Sequence, residues 1–537
     1  MKLPTRDWMR RHLVAQSLFL CAVAAAGASD AAPQRPVGTL LVRTQEGPVQ
    51  GTLKDGVRVF TGIPFAAPPV GPLRFRPPQR VTPWFEPLLA NKPIPNCIQF
   101  GGNNPLPQSE DCLYLSVWAP SGAARAKPLP VMVWIFGSGL YTNGPQDYDG
   151  AMLAQHGVVL VTINHRLGLL GLMVDASLDE AEALSGNNTL RDVQASLRWV
   201  QRNIAAFGGD PGNVTLFGDS AGARLAMAQL ISPPAKGLFA KVIGQSVGGM
   251  DRAGWRGNQV VEQREAIQAG PAKAVIKALA CAGVDDVASC LRAAPVSALV
   301  GTGLGPTIIP LVGDKELLPI APQEAFASGR FARVPVMLGT ALNEGAFQVV
   351  PEETALGRPL LESDLPRLYK KYFGVHAERV PYGYPIGKYG TPGLAMMSAR
   401  TDIWQACPTD FLQRAIAAHA PVFGFEVTAP DLAQAWPDKQ VSSIPNSPSH
   451  GSEVRYVFGG EHGVALTGRH ARLSAMFRTY WTNFAKFGTP DPGGRQWPRL
   501  SPDRPVILQL GDVPAVSDNY AERHNCSFMR SEGMVRY

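Results

Sequence analysis

The stretch from Asn213 to Arg224, NVTLFGDSAGAR, carries the strongest chemical signal in this sequence. A β-branched run ends at Gly218, and a helical pattern starts at about Ala221. Between them lies G-x-S-x-G, centred on Ser220. That pattern is cheap by itself and is also met in helix-capping turns. In a strand–turn–helix setting it becomes a nucleophile elbow, where a sharp turn lifts the serine hydroxyl above a sheet edge. Gly218 and Gly222 would let strand and helix approach closely. The helix start would place positive dipole near developing negative charge.

A serine hydroxyl is a weak nucleophile unless a base takes its proton, and the base needs an orienting acid. Downstream, the apolar run Val334–Gly339 leads into Thr340 to Gly345, TALNEG, so Glu344 lies just beyond a strand's C-terminal end. Ligands and reactive groups of open parallel sheets collect at that edge. His450 lies in the turn-rich run Asn446 to Gly451, NSPSHG. By spacing alone, Glu344 and His450 read equally well as structural loop residues.

These residues need a scaffold. Strand patterns fall at Val131–Phe136, Val158–Ile163, Asn213–Phe217, Lys241–Gly244, Val334–Gly339 and Val422–Val427. Helical patterns fall at Leu190–Ala206, Ala221–Ile231, Asn258–Ala280, Ala395–Ala418 and His470–Phe487. The alternation predicts an α/β fold, a mostly parallel sheet with helices on both faces. Several strands are continuous apolar runs, as expected when both faces are covered. Residues 33–537 are expected to form one domain. Turn-rich stretches near 250–330 and 350–410 read as insertions over the sheet edge.

The composition limits the alternatives. Apolar residues make up 45% of the 537, too many for a disordered chain and too dispersed for a multi-span membrane protein. The net charge is +7. Beyond the N-terminus its positive residues never run longer than Lys370-Lys371, which reads as a solvated surface and not a nucleic-acid footprint. Residues 1–32 combine Lys2, Arg6, Arg10 and Arg11 with an apolar stretch from Leu13 to about Ala26 and a small-residue end. This pattern predicts a secretory signal, with the mature chain in the periplasm or the medium. The apolar stretch is shorter than the ~20 residues of a span, so no stable membrane anchor is expected. The residues around Arg10-Arg11 match a twin-arginine signal poorly.

Setting aside Cys21 in the leader leaves Cys97, Cys112, Cys281, Cys290, Cys407 and Cys526. An even number in an exported chain suggests disulfides, and six cysteines allow 15 pairings. There is no CxxC, no HExxH and no histidine cluster at ligand spacing, so neither a metal nor a cofactor is expected.

The motifs now assembled resemble the type-B carboxylesterase and cholinesterase family. Gly62–Pro69 (GIPFAAPP), Ser109–Leu115 (SEDCLYL), Thr162–Gly168 (TINHRLG), Asn203–Pro211 (NIAAFGGDP), Gly218–Gly222 (GDSAG) and His450–Gly459 (HGSEVRYVFG) follow in the family's order across nearly the whole mature chain. The resemblance implies an α/β-hydrolase fold and a catalytic triad of Ser220, Glu344 and His450. It implies Ser246 beside the acid, and the ion pairs Arg74–Glu110 and Arg166–Asp192. It implies the bridges Cys97–Cys112, Cys281–Cys290 and Cys407–Cys526. It also implies an oxyanion hole from the backbone N–H groups of Ser138, Gly139 and Ala221, and a small-molecule ester as substrate.

Three features depart from that family. The usual His- or Tyr-Gly-Gly-Gly loop here reads Phe136-Gly137-Ser138-Gly139, which restricts positive φ and adds a hydroxyl. Gly102 stands where cholinesterases carry the tryptophan that binds quaternary ammonium, which argues against a choline ester. Arg224, one turn after Ser220, replaces a small residue and is a candidate contact for a substrate carboxylate or a structural ion-pair partner. Two other readings stay open: a catalytically inactive adhesion protein on the same fold, and a lipase. Inactive relatives lose the nucleophile, whereas Ser220 is present.

Overall fold

The structure is a computed structural model that describes residues 40–101, 106–123, 127–180, 183–250, 261–262, 264–304, 311–429, 442–461 and 464–535. The expected leader, residues 1–32, lies outside the described residues. A thirteen-stranded sheet organises residues 39–537. Twelve strands run in sequence as β1 (Leu40–Arg43), β2 (Pro48–Lys54), β3 (Val57–Pro64), β4 (Tyr114–Pro120), β5 (Leu129–Ile135), β6 (Val159–Ile163), β7 (Gly209–Asp219), β8 (Lys241–Gln245), β9 (Val336–Ala341), β10 (Val422–Val427), β11 (Ile507–Leu510) and β12 (Ala515–Ser517). Their spatial order is β1-β2-β3-β4-β6-β5-β7-β8-β9-β10-β11-β12, and the short pair Leu88–Leu89 lies beside β2.

From β6 to β11 every neighbouring pair is parallel. Strands β6, β8, β9 and β10 are buried along their whole length, which explains their unbroken apolar runs. The order is that of the α/β-hydrolase fold expected above. At the N-terminal edge, β1 to β4 are antiparallel. Their alternation is broken by partly covered positions, so the apolar-run criterion passed over them.

Helices cover both faces. Those that bear on the site are α1 (Asn188–Asn203), α2 (Ala221–Ile231), α3 (Ala346–Leu356), α4 (Pro392–Thr401), α5 (Cys407–Ala417), α6 (Ser452–Phe458) and α7 (Gly468–Phe487). Two helical expectations need correction. The run Asn258–Ala280 is no single helix: among its described residues, a strand pair at 261–262 precedes short helical pieces interrupted at Gln268–Ala272, where Pro271 removes a backbone donor. The run Ala395–Ala418 is two helices, α4 and α5, joined by a π-type turn at Asp402–Ala406.

The main core straddles the sheet, and a second apolar cluster gathers α3, α4 and the C-terminal residues from Cys526 to Val535. Two devices fasten that cluster to the sheet. Cys407 pairs with Cys526 across 119 residues, a closure contributing roughly 4–5 kcal/mol in the chain-entropy picture. Beside it, buried His524 meets Asp402 through Nδ1 and Glu426 of β10 through Nε2, each at 2.7 Å. Despite burial, the two carboxylates lift its imidazolium to about 9. That charge stabilises the fold fully below the ordinary histidine value near 6.5, and its contribution fades as pH rises through about 9. His524→Ala leaves two buried carboxylates without a shared cation and is expected to cost about 3–5 kcal/mol. Urea unfolding at pH 7 measures this; a loss under 1 kcal/mol would contradict it.

Candidate active site

Strands β7, β8 and β9 end side by side, and each carries a site residue at or just beyond its C-terminal end. Ser220 falls between Asp219, the last residue of β7, and Ala221, the first of α2. Its backbone is held at φ 55°, ψ −122°, a strained conformation of the kind that costs about 1–3 kcal/mol and persists only where neighbours enforce it. The Ser220 N–H donates to Gln245 O on β8 at 2.8 Å. Gly218 and Gly222 make the turn sterically feasible. A Cβ on Gly218 would lie 2.7 Å from the Gly222 carbonyl carbon, and one on Gly222 would collide with the carbonyl oxygens of Ile135 and Phe136.

Ser246 follows β8, and its N–H donates to Gly339 O at 2.9 Å. Its hydroxyl donates to Glu344 Oε1 at 2.7 Å. The same oxygen accepts the Ala341 N–H at 2.7 Å. The other, Glu344 Oε2, lies 2.6 Å from His450 Nδ1. Asn343 N–H donates to Pro448 O, so the loops carrying Glu344 and His450 are bonded directly. Glu344 is fully buried and the His450 side chain nearly so. Trp404 and Phe347 flank the imidazole with ring centroids at 4.5 and 5.1 Å. The structure thus unites Ser246, Glu344 and His450 in one hydrogen-bonded chain. Ser220 is brought to the same edge: a Cβ on Gly451, next to His450, would lie 3.6 Å from Asp219 Oδ2. Among the described residues the Ser220 hydroxyl makes no hydrogen bond with His450. Such contacts commonly close only with substrate bound.

The loop after β5 abuts Ser220, since a Cβ on Gly137 would lie 3.0 Å from Ser220 Cβ. Ser138 sits at φ 55° and Gly139 at φ 64°. Ser138 thus takes a positive φ that its side chain disfavours. The Asn143 amide donates to Ser138 Oγ at 3.1 Å and helps hold this conformation. Gly139 cannot be larger, because a Cβ there would collide with the Tyr141 ring. Ala221 opens α2, so its N–H has no intrahelical acceptor. Phe136 stacks at 4.3 Å on His165, which burial pulls down to about 4 and so keeps neutral.

Two further carboxyls crowd the acid. Burial first, then the charges of Asp219 and Glu344, push Glu453 up to about 8. Burial and Glu344 hold Asp219 well above the usual carboxylate range. Neighbouring carboxyls in a dry site resist ionising together, which favours the neutral forms of these two. Gln245 amide donates to Glu453 Oε1 at 3.3 Å and accepts from the Trp481 indole N–H at 3.0 Å. Sequence reasoning gave no role to Asp219, Glu453, Phe347 or Trp404. Asp219 and Glu453 lay inside recognised motifs, and only the burial of Glu453 and the shielding of Asp219 Oδ1 mark them.

Arg224 makes no ion pair among the described residues; its Nε donates to Val247 O at 2.9 Å. The pairs Arg74–Glu110 and Arg166–Asp192 are present at 2.6 and 2.7 Å. The cysteines pair as Cys97–Cys112, Cys281–Cys290 and Cys407–Cys526. Gly102 lies outside the described residues. Among the described residues no group of side chains could hold a metal ion, and no helix is long and apolar enough to cross a membrane.

Comparison with known proteins identifies the setting of this site. The sequence profile of the Carboxylesterase family matches residues 38–529. The chain is 32% identical to para-nitrobenzyl esterase of Bacillus subtilis (strain 168), over 91% of this chain and 98% of that protein. It is 33% identical to liver carboxylesterase 1 of Oryctolagus cuniculus, over 92% of this chain and 94% of that one. A solved PNB esterase structure superposes with a TM-score of 0.76 at 30% identity, covering 91% of this chain and 99% of the other. The fold, the profile and these relatives together make the chain a member of the carboxylesterase family and an enzyme that hydrolyses carboxylic esters.

Proposed function

We propose that this enzyme hydrolyses small-molecule carboxylic esters through an acyl-enzyme on Ser220, with His450 as base and Glu344 as the orienting acid. The observation that carries this reading is the chain Ser246–Glu344–His450, set at the same sheet edge as the strained Ser220 turn. His450 takes the hydroxyl proton as Ser220 attacks the ester carbonyl. Glu344 fixes Nδ1–H and stabilises the imidazolium. Backbone N–H groups of Ser138, Gly139 and Ala221 receive the oxyanion, each worth about 3–4 kcal/mol. His450 returns the proton to the leaving alcohol, then activates water to release the acid. Asp219 and Glu453, held toward their neutral forms, keep added negative charge away from Glu344. Residues 1–32 serve as a cleaved export signal, and 33–537 form one domain with insertions near 250–330 and 350–410.

An acyl-enzyme has no memory of its leaving group. Acetate esters of 4-nitrophenol and phenol, hydrolysed in the presence of methanol, are expected to give the same ratio of acetate to methyl acetate. Ratios that differ between the two esters would overturn the covalent intermediate.

A further inference from the structure

We propose that Arg224 anchors a free carboxylate on the substrate, so that the enzyme prefers anionic esters over their neutral counterparts. This rests on the esterase reading above. Helix α2 is buried at every position except Arg224. Arg224 lies one turn beyond Ser220, its N–H bonded to Ser220 O at 3.0 Å. Residues four apart share a helix face, so the one accessible side chain of α2 lies on the face of the nucleophile.

The guanidinium is fixed and only partly satisfied. Its Nε donates to Val247 O, which sets the plane of the group, while Nη2 is buried with no partner among the described residues. No carboxylate stands within ion-pair distance of it among the described residues. Burial pulls Arg224 down to about 10, which leaves it cationic at neutral pH. The charge acting on it is Asp219, whose own carboxyl is pushed toward the neutral form by burial and by Glu344. Asp219 is therefore a poor counter-ion. A guanidinium N–H shielded from water without a hydrogen-bond partner is costly, and a substrate carboxylate would supply one.

A second unsatisfied group borders the same loop. The Gln405 amide is fully buried with both polar atoms unpartnered among the described residues. It lies against Gly248, the residue after Val247, where a Cβ would be 2.7 Å from Gln405 Oε1. An arginine N–H and an amide N–H beside one loop suit the two oxygens of a carboxylate, which accepts several donors at once.

Two ester pairs separate the possible positions of that carboxylate. Monoethyl succinate against diethyl succinate carries it on the acyl side. 4-Acetoxybenzoate against its methyl ester carries it on the leaving group. In wild type, one pair is expected to show a higher kcat/KM for the anionic member. In Arg224→Gln, that anionic-to-neutral ratio is expected to fall about tenfold to a hundredfold, the range for a lost hydrogen bond to a charged group. Arg224→Lys, which keeps charge without the fork, is expected to fall in between. Should Arg224→Gln fail to fold, wild type still decides: benzoate is expected to inhibit neutral-ester hydrolysis more strongly than benzamide. Equal inhibition, or ratios unchanged by Arg224→Gln in both pairs while neutral esters are turned over, would overturn the carboxylate anchor and leave the esterase reading intact. Failure of wild type on both anionic esters while the neutral ones are turned over would overturn the anchor alone; failure on all four esters would sink the esterase reading with it.

Discussion

Ser220→Ala is expected to lower kcat for a short-chain 4-nitrophenyl ester by about 10⁴- to 10⁶-fold, the scale at which loss of a serine nucleophile is felt in enzymes of this design. The structure says why the loss is chemical. The Ser220 N–H bond to Gln245 O is a backbone contact that alanine keeps. Gly218 and Gly222 still supply the close approach of β7 and α2. Alanine at φ 55° is strained much as serine is, so the melting temperature is expected to move by only a few degrees. Burst-free residual turnover and an unchanged melting curve together would fit the nucleophile assignment. Turnover within tenfold of wild type would reject it.

Glu344→Gln is expected to cost about 10⁴-fold in kcat, by a different route. Oε1 of Glu344 accepts from the Ser246 hydroxyl and the Ala341 N–H, so an amide oxygen would settle there. The amide NH₂ would then face His450 Nδ1, now an acceptor, and the proton would move to Nε2. That tautomer points a hydrogen at Ser220 instead of a lone pair, as when a triad acid is replaced by its amide. The same change removes one negative charge from a cluster that pushes Asp219 and Glu453 upward. The variant is therefore expected to be no less stable than wild type at pH 7, and Glu453 is expected to titrate below about 8. An inactive variant that also unfolds easily would show that Glu344 matters for packing more than for the imidazole.

Much of the fold was legible because β6, β8, β9 and β10 are covered on both faces and so read as apolar runs. The antiparallel edge was less so. Strand β3 mixes buried Val57, Phe60 and Ile63 with half-covered residues between them, a spacing that matches neither period 2 nor a solid run. Pro271 and the π-type turn at Asp402–Ala406 broke helices that periodicity drew as continuous. At the site, Ser220 announced itself through glycines at fixed offsets. Glu344 and His450, 106 residues apart, became a pair only through family resemblance, and their 2.6 Å contact is a product of the sheet order. Nothing local in sequence could show that Asp219 and Glu453, 234 residues apart in the chain, press on the same acid. Nor could it show that Arg224 has no ionic partner among the described residues, since that depends on what the fold brings near.

The most direct measurement is covalent capture of the nucleophile. Treated with a slight excess of a serine-directed organophosphonate, the protein is expected to lose esterase activity in step with the addition of one adduct per chain. Peptide mapping is expected to place that adduct on Ser220 and to find none on Ser138 or Ser246. Full inactivation with the adduct on any other residue, or one adduct on Ser220 with activity retained, would contradict the account.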